Sequence, residues 1–465
     1  MSSHLDGDLL AGATVRARMA REAARPMREQ GVAGIVLSFV DTAGINRIKT
    51  VPVERLPAAA TRGVGMSPVF DTFLADDSLT TTARFGGPDG DLRLVPDLAA
   101  LTVLAAQPGW AWAPVNRYTQ DGAPYVLCQR RYAAEAASRC QEAGLDVIAA
   151  VEIEWAVARG DGAGFEPACR GPAYGMARLV ELSDYARDLL VALQREGVEV
   201  EQLHPEYSDG QYEVSVGPTD LVTAADRSVL VRQTIRAVSA QHGLQVSFAP
   251  SVVNGHVGNG GHIHLSARSG ERNIFAGGDR RHGLTAAGEA FAAGILEELP
   301  GLCAVGAPTV ASYLRLVPSH WAGAFQCWGL ETREAALRLV RGLRGDQDRA
   351  ANIEVKCVDL TANPYLLLGA LAGAGLAGVR RQARLPEEVT GDPALLDPAE
   401  LKARGVQRLP QSLPEAIDAL AASATLREVL GDDQLEVVLG VRRAEAERFA
   451  GREDDEVVAA TRWVY

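Results

Sequence analysis

A glycine-rich loop running straight into an alternating strand constrains this chain more than any other stretch. It reads Val257-Gly258-Asn259-Gly260-Gly261-His262-Ile263-His264-Leu265-Ser266. Three glycines bring backbone close to a neighbour, and residues two apart on an extended strand share a face. His262, His264 and Ser266 therefore form one wall of a site with the loop at its mouth. The wall needs partners, and the chain offers carboxylates on similar strands. Val151-Glu152-Ile153-Glu154-Trp155 turns two glutamates to one face and three apolar residues to the other. Glu206 and Glu213 are an odd number apart, so one straight strand would oppose them. The turn Ser208-Asp209-Gly210 between them predicts a hairpin that can point both inward. Asn352-Ile353-Glu354-Val355-Lys356 puts Glu354 and Lys356 on one strand face.

Five carboxylates cannot share a dry pocket unpaired, because their repulsion would protonate some of them. An oxygen-rich set with at most one imidazole per ion suits Mg²⁺ or Mn²⁺ better than zinc. Arginines accompany them at Arg315, Arg333, Arg338 and Arg349, with Arg315 expected at a strand end. Divalent ions beside several arginines are equipment for phosphoryl transfer, which depends on positioning and charge neutralisation.

The remainder of the chain frames that site. Its 465 residues, 47% hydrophobic and 23% charged, allow two or three domains. Residues 9–30 have helical spacing, and strands are predicted at Gly34–Val40, Arg47–Val51 and Leu92–Pro96. Residues 1–115 read as a small strand-rich domain and 116–465 as a larger one. In the latter, helices are predicted at Arg130–Ala143, Leu179–Glu196 and Ser228–His242, and strands at Leu145–Val157, Val198–Leu203 and Gln245–Pro250. Two helix-to-strand returns suggest a sheet backed by helices on one side, an α+β arrangement. The last hundred residues read as helical. A net charge of −13 without a basic patch argues against nucleic acid. Six cysteines without a C-x-x-C pair read as reduced thiols. Residues 1–8 lack a leader pattern, and the apolar run Leu366–Val379 is too short for a membrane span, so a soluble cytoplasmic protein is expected.

Seven motifs in this order resemble the glutamine synthetase family. They are Glu152-Ile-Glu154, the H-x-E-x-x-x-G-Q-x-E run from His204 to Glu213, the 258–266 loop and strand, Arg315-Leu-Val-Pro318, Arg333 with Arg338, Ile353-Glu354-Val355, and Ala362-Asn363-Pro364-Tyr365. The resemblance implies an N-terminal β-grasp domain and a catalytic domain on a curved antiparallel sheet. It also implies a ring-shaped homo-oligomer, commonly a dodecamer of two hexagons, with sites between subunits. Glu154, Glu206 and Glu213 fall where the family holds one metal ion, and Glu152, His262 and Glu354 where it holds a second. Two or three Mg²⁺ or Mn²⁺ ions are implied. His264, Ser266, Arg338 and Arg349 fall at the ATP positions. Gly258, Arg315 and Lys356 fall at the acid substrate, and Arg333 at the transferred phosphoryl group. The implied chemistry activates the γ-carboxylate of glutamate as an acyl phosphate, which an amine then displaces.

The departures from the family pattern are chemical. The aspartate that serves ammonium in ammonia-using members is Ser67 here, and the flap glutamate is Trp321. An aromatic flap suits an alkyl or aryl amine better than ammonium. His320 beside it is a candidate base for the incoming amine. Lys356 replaces an arginine and loses the bidentate fork. Val257 replaces an asparagine, and Asn352 an arginine near ATP. The expectation is an ATP-dependent ligase joining glutamate or an analogue to an amine other than ammonia. The alternatives are a ligase with a different acid, or a catalytically silent regulatory or structural ring.

Overall fold

The computed structural model describes residues 7–465. Residues 1–6, most of the segment expected to lack a leader, lie outside the described residues. The described residues build two sheets. The first uses β1 (Gly34–Val40), β2 (Asn46–Pro52), β3 (Val64–Met66), β4 (Leu92–Pro96), β5 (Thr102–Val103) and β6 (Trp110–Tyr118). Its order is β2-β1-β6-β4-β3, with β5 on β6 and only β1 and β6 parallel. Helices Ala13–Glu29 and Leu56–Arg62 close one face over Ile35, Leu37, Leu94 and Ala113. β6 crosses residue 115, the expected boundary, and ends three residues later.

The second sheet comprises β7 (Asp146–Ala158), β8 (Val200–Pro205), β9 (Gln211–Val216), β10 (Thr219–Asp220), β11 (Gln245–Ser247), β12 (Ile263–Ser269), β13 (Arg272–Asn273), β14 (Phe325–Leu330), β15 (Ala335–Val340), β16 (Asn352–Val355) and β17 (Gln407–Arg408). The path runs β17-β14-β15-β16-β12-β7-β9-β8. It is antiparallel except for β14 and β15, which run parallel across the turn begun by Glu331 at φ 51°. Helices Gln129–Glu142, Leu221–Gln241, Ala286–Gly306 and Pro364–Arg380 pack into one core with the apolar face of this curved sheet. Val151, Ile153 and Trp155 of β7 are buried in that core. The intervening glutamates of β7 therefore face away from it.

Two expectations need correcting. Leu179–Glu196 is two helices, Met176–Glu181 and Ser183–Arg195, because Leu182 leaves helical geometry at φ −117° and ψ 31°. Arg315 ends a short helix, Ser312–Arg315, and not a strand.

Buried polar contacts join the two parts. Arg130 reaches Asp97 at 2.9 Å and Asp226 at 2.7 Å, all three being buried. Asn363 caps helix Pro364–Arg380 by accepting from Tyr365 and Leu366 amides, with Pro364 in the first turn, where its missing N–H does no harm. Its amide also donates to the Val40 and Asp41 carbonyls at 3.0 Å. All six cysteines are unpaired and buried, and burial lifts the Cys140 thiol to about 11 and Cys327 to about 12. Among the described residues no helix is long and apolar enough to cross a membrane.

Candidate active site

Strand pairing assembles the site. Glu154 of β7 lies opposite Glu213 of β9, which lies opposite His204 of β8. On the other side of β7, His264 of β12 lies opposite Glu354 of β16, which lies opposite Arg338 of β15. Residues from five separate motifs thus meet on one face through the register alone.

The glycine-rich loop closes against this face. A side chain at Gly258 would meet the Pro250 carbonyl at 1.8 Å, and one at Gly260 would meet His262 Nε2 at 2.5 Å. Gln211 ties loop to sheet, donating to Glu154 at 3.0 Å and to the Gly258 carbonyl at 3.1 Å. The Gly260 amide donates to Glu154 at 2.8 Å.

A cavity of about 780 Å³ opens between them. It brings together Glu152, Glu154, Glu206, Glu213, Glu354, His262, His264, Gly258, Arg315, His320, Trp321, Arg333, Arg338 and Lys356, all expected from sequence. Ser266 and Arg349 are not among its walls. They line a neighbouring cavity of about 420 Å³ that shares Glu152, Gln202 and His264 with the first. Ser266 donates to the Ala351 carbonyl at 3.1 Å, and exposed Arg349 pairs with Asp346.

Three groups of side chains bring ligand atoms within 4.8 Å of one another. Glu152, His262 and Glu354 form one, as expected for one ion. The set expected for the other ion divides: Glu206 and Glu213 cluster with His204, while Glu154 and Glu213 cluster with Glu152. Glu206 Oε2 is buried without a hydrogen-bond partner, its Oε1 accepting from Tyr174 at 2.6 Å. An orphaned carboxylate oxygen in an oxygen-rich cluster fits a hard divalent cation.

The electrostatics of the cluster point the same way. Burial, then Glu154, pushes Glu206 up to about 7. Burial lifts Glu213 to about 8; His204 opposes this, and Glu152, Glu154 and Glu206 add to it. Lys356, His264 and His262 overcome burial and hold Glu354 near 2. His262 and His264 likewise hold Glu152 low against its burial. His264 is raised to about 9 by Glu152 and Glu354, although burial opposes its charge.

The cations proposed for the acid substrate rest on side chains of one cluster. Lys356 Nζ lies 3.0 Å from Glu354 Oε1, and Arg315 donates to His262 Nε2 at 3.0 Å. Arg338 bridges Glu354 at 3.0 Å and Glu331 at 2.6 Å.

Comparison with known proteins agrees with this geometry. Residues 126–458 match the family model described as glutamine synthetase, catalytic domain. The chain belongs to the glutamine synthetase family. It is 61% identical over 442 residues to a gamma-glutamylpolyamine synthetase of Streptomyces coelicolor, covering 94% of each chain. A glutamate–methylamine ligase of Methyloversatilis universalis is 29% identical, with 88% of this chain and 92% of the relative covered. Among solved structures, a glutamine synthase homologue superposes with a TM-score of 0.84 at 33% identity, covering 94% of this chain and 99% of that one. An ADP complex of GmaS gives 0.82 at 26% identity, covering 92% and 96%.

Sequence reasoning missed three residues of this glutamine synthetase-type site. Tyr174 and Tyr207 line the cavity, and buried Glu334 accepts the Trp321 amide at 2.8 Å. Tyr207 adjoins Glu206 within a recognised motif, so its neighbour was a usable signal. Tyr174 and Glu334 reach the site through tertiary contacts that carry no local pattern.

Proposed function

We propose that this protein is an ATP-dependent ligase joining the γ-carboxyl of glutamate to an organic primary amine, with a polyamine as the leading candidate. The observation that carries this reading is Trp321. It lines the cavity beside the whole set of metal-type ligands, at the flap position where ammonia-using members carry a carboxylate. Ser67, at the other ammonium position, caps a short helix by accepting the Val69 amide. The site retains its carboxylate cluster and has lost the charge that draws a small cation. The relatives named for polyamine and methylamine ligation support the same class.

Glu152, His262 and Glu354 would hold one divalent ion, and Glu154, Glu206 and Glu213, with His204 nearby, another. When bound, the ions neutralise the phosphate oxygens and the carboxylates around them. Arg338 and Arg333 face the same cavity and would hold the transferred phosphoryl group. Arg315, Lys356 and the Gly258 backbone would orient the acid. Ser266, His264 and Arg349 would flank the nucleotide, the first and last from the neighbouring cavity. The chemistry is formation of a γ-glutamyl phosphate and its displacement by a neutral amine, both favoured by fixed orientation and preorganised charge. His320, which lines the cavity, would accept the amine proton. The ring homo-oligomer and the cytoplasmic location are part of the same reading. Among the described residues, none of the first sheet lines the cavity.

The test is phosphate release from ATP with Mg²⁺ or Mn²⁺, glutamate fixed and the amine varied over ammonia, methylamine, ethanolamine, butylamine, putrescine and spermidine. A response to organic amines that exceeds the response to ammonia is expected. Preference for ammonia over every organic amine would overturn the reading.

A further inference from the structure

The cavity borders a second space. An outer groove of about 480 Å³ lies beyond it, and Tyr207, Val257, His320 and Trp321 line both spaces. The partition is an aromatic pair, Tyr207 and Trp321, with ring centroids 4.7 Å apart and planes tilted by 57°. Both rings remain partly exposed, at 43% and 41%. Such a pair offers π faces to whatever passes between inner cavity and outer groove.

Each side of the partition is held. On the flap, Ser319 and Trp321 adopt left-handed backbone angles, φ 58° and 56°, that such residues seldom take. Buried Glu334 accepts the Trp321 amide, and Asp392 accepts the Ser319 hydroxyl at 2.7 Å. On the hairpin, buried Arg178 donates to the carbonyls of Glu206, Tyr207 and Ser208 at 2.8, 3.2 and 2.8 Å. Arg178 is thereby tied to backbone and also pairs with the Asp209 carboxylate. The boundary between the two spaces is thus braced from both sides.

Beyond the pair stands Asp209. Its Oδ1 accepts from Arg178 at 3.2 Å and from the Gly171 amide at 3.3 Å. Its Oδ2 lies 3.7 Å from the exposed Arg170. Asp209 is the carboxylate in the lining of the outer groove, and an ammonium reaching it would compete with Arg170 for this oxygen. An aliphatic chain leaving the inner cavity would cross the two rings and bring a second ammonium to it. Methylenes pack on ring faces, and a cation gains from both ring and carboxylate.

We infer that Tyr207, Trp321 and Asp209 form a subsite for the distal ammonium of a diamine or polyamine, selecting extended diamines over monoamines of equal length. This rests on the amine-ligase reading above.

The experiment compares kcat/KM for putrescine and butylamine, which share a carbon chain and differ in the distal charge. The wild-type protein is expected to prefer putrescine. Asp209→Asn should lower the putrescine-to-butylamine ratio about tenfold, the size of one lost cation contact. Arg170→Ala removes the competitor for Oδ2 and should raise the ratio. Tyr207→Leu should raise KM for both amines and leave KM for ATP as it was. Asp209 also braces the hairpin, so the Arg170 variant, which should gain selectivity, separates recognition from damage. Ratios unchanged in both the Asp209 and Arg170 variants would overturn the subsite while leaving the ligase reading intact. Failure of wild-type protein to use any organic amine would instead overturn the ligase reading, and the subsite with it.

Discussion

The Trp321 amide donates to Glu334 Oε1 across 2.8 Å, fastening the flap to a buried carboxylate thirteen residues along the chain. Removing that acceptor leaves a donor unpaired, which costs about 1–3 kcal/mol. Glu334→Ala should lose that much in urea unfolding and raise KM for the amine, with KM for ATP unchanged. Glu334→Gln keeps an acceptor oxygen and should recover most of both.

Trp321→Glu returns a carboxylate to the flap. Organic-amine kcat/KM should fall by roughly tenfold or more, and the response to ammonium chloride should rise. Kinetics across the amine panel would check this. An unchanged preference order would remove the flap from any role in amine choice.

Glu354 sits between two cations and His262 in the cluster suited to a divalent ion. Glu354→Gln should weaken Mn²⁺ binding by about tenfold or more in calorimetry, since a charged ligand becomes a neutral one. The same substitution leaves Lys356 and Arg338 without their shared anion. Thermal stabilisation by Mn²⁺ should therefore shrink even where the fold is kept.

Without divalent ions, stability should fall as pH rises from about 4.5 to about 9. Glu206 and Glu213 titrate near 7 and 8 in the folded protein, above their unfolded value of 4.5. They stay protonated while the unfolded chain has already ionised, so rising pH favours unfolding until both have lost their protons. His264, raised to about 9, acts in the same direction, its stabilisation being lost as pH passes that value. Melting temperatures in EDTA should drop across this window. With Mg²⁺ the drop should be smaller, because the ion takes the place of the protons.

Arg130 joins the first part of the chain to the second through Asp97 and Asp226. Asp226→Ala removes one anion and leaves the buried guanidinium undercompensated. A loss of about 3–5 kcal/mol is expected, measurable by denaturant unfolding.

The site was legible where chemistry and local pattern coincide. Glu152 and Glu154 alternate with buried apolar residues on β7, and period two was enough to assign their face. The hairpin bringing Glu206 and Glu213 inward followed from Ser208-Asp209-Gly210. Long-range packing was not legible. Nothing near Arg315 distinguishes a short helix from a strand end, and four residues between β14 and β15 gave no hint of a parallel pair. The split of the Glu154, Glu206 and Glu213 set among two clusters depends on side-chain directions across three strands. Glu334 reaches the flap only because β15 returns beside it.

The burial of every cysteine has a practical consequence. Burial raises the thiols of Cys140, Cys169 and Cys327, and a neighbouring thiol together with burial raises Cys303, so little thiolate forms there at neutral pH, and all six side chains are shielded from solvent. The natural chain is then a silent background for thiol chemistry. A single cysteine placed at a surface position such as Leu343, which is 80% exposed, would be the one fast-reacting handle. A dye or spin label attached there could report on ligand binding without any native thiol having to be removed.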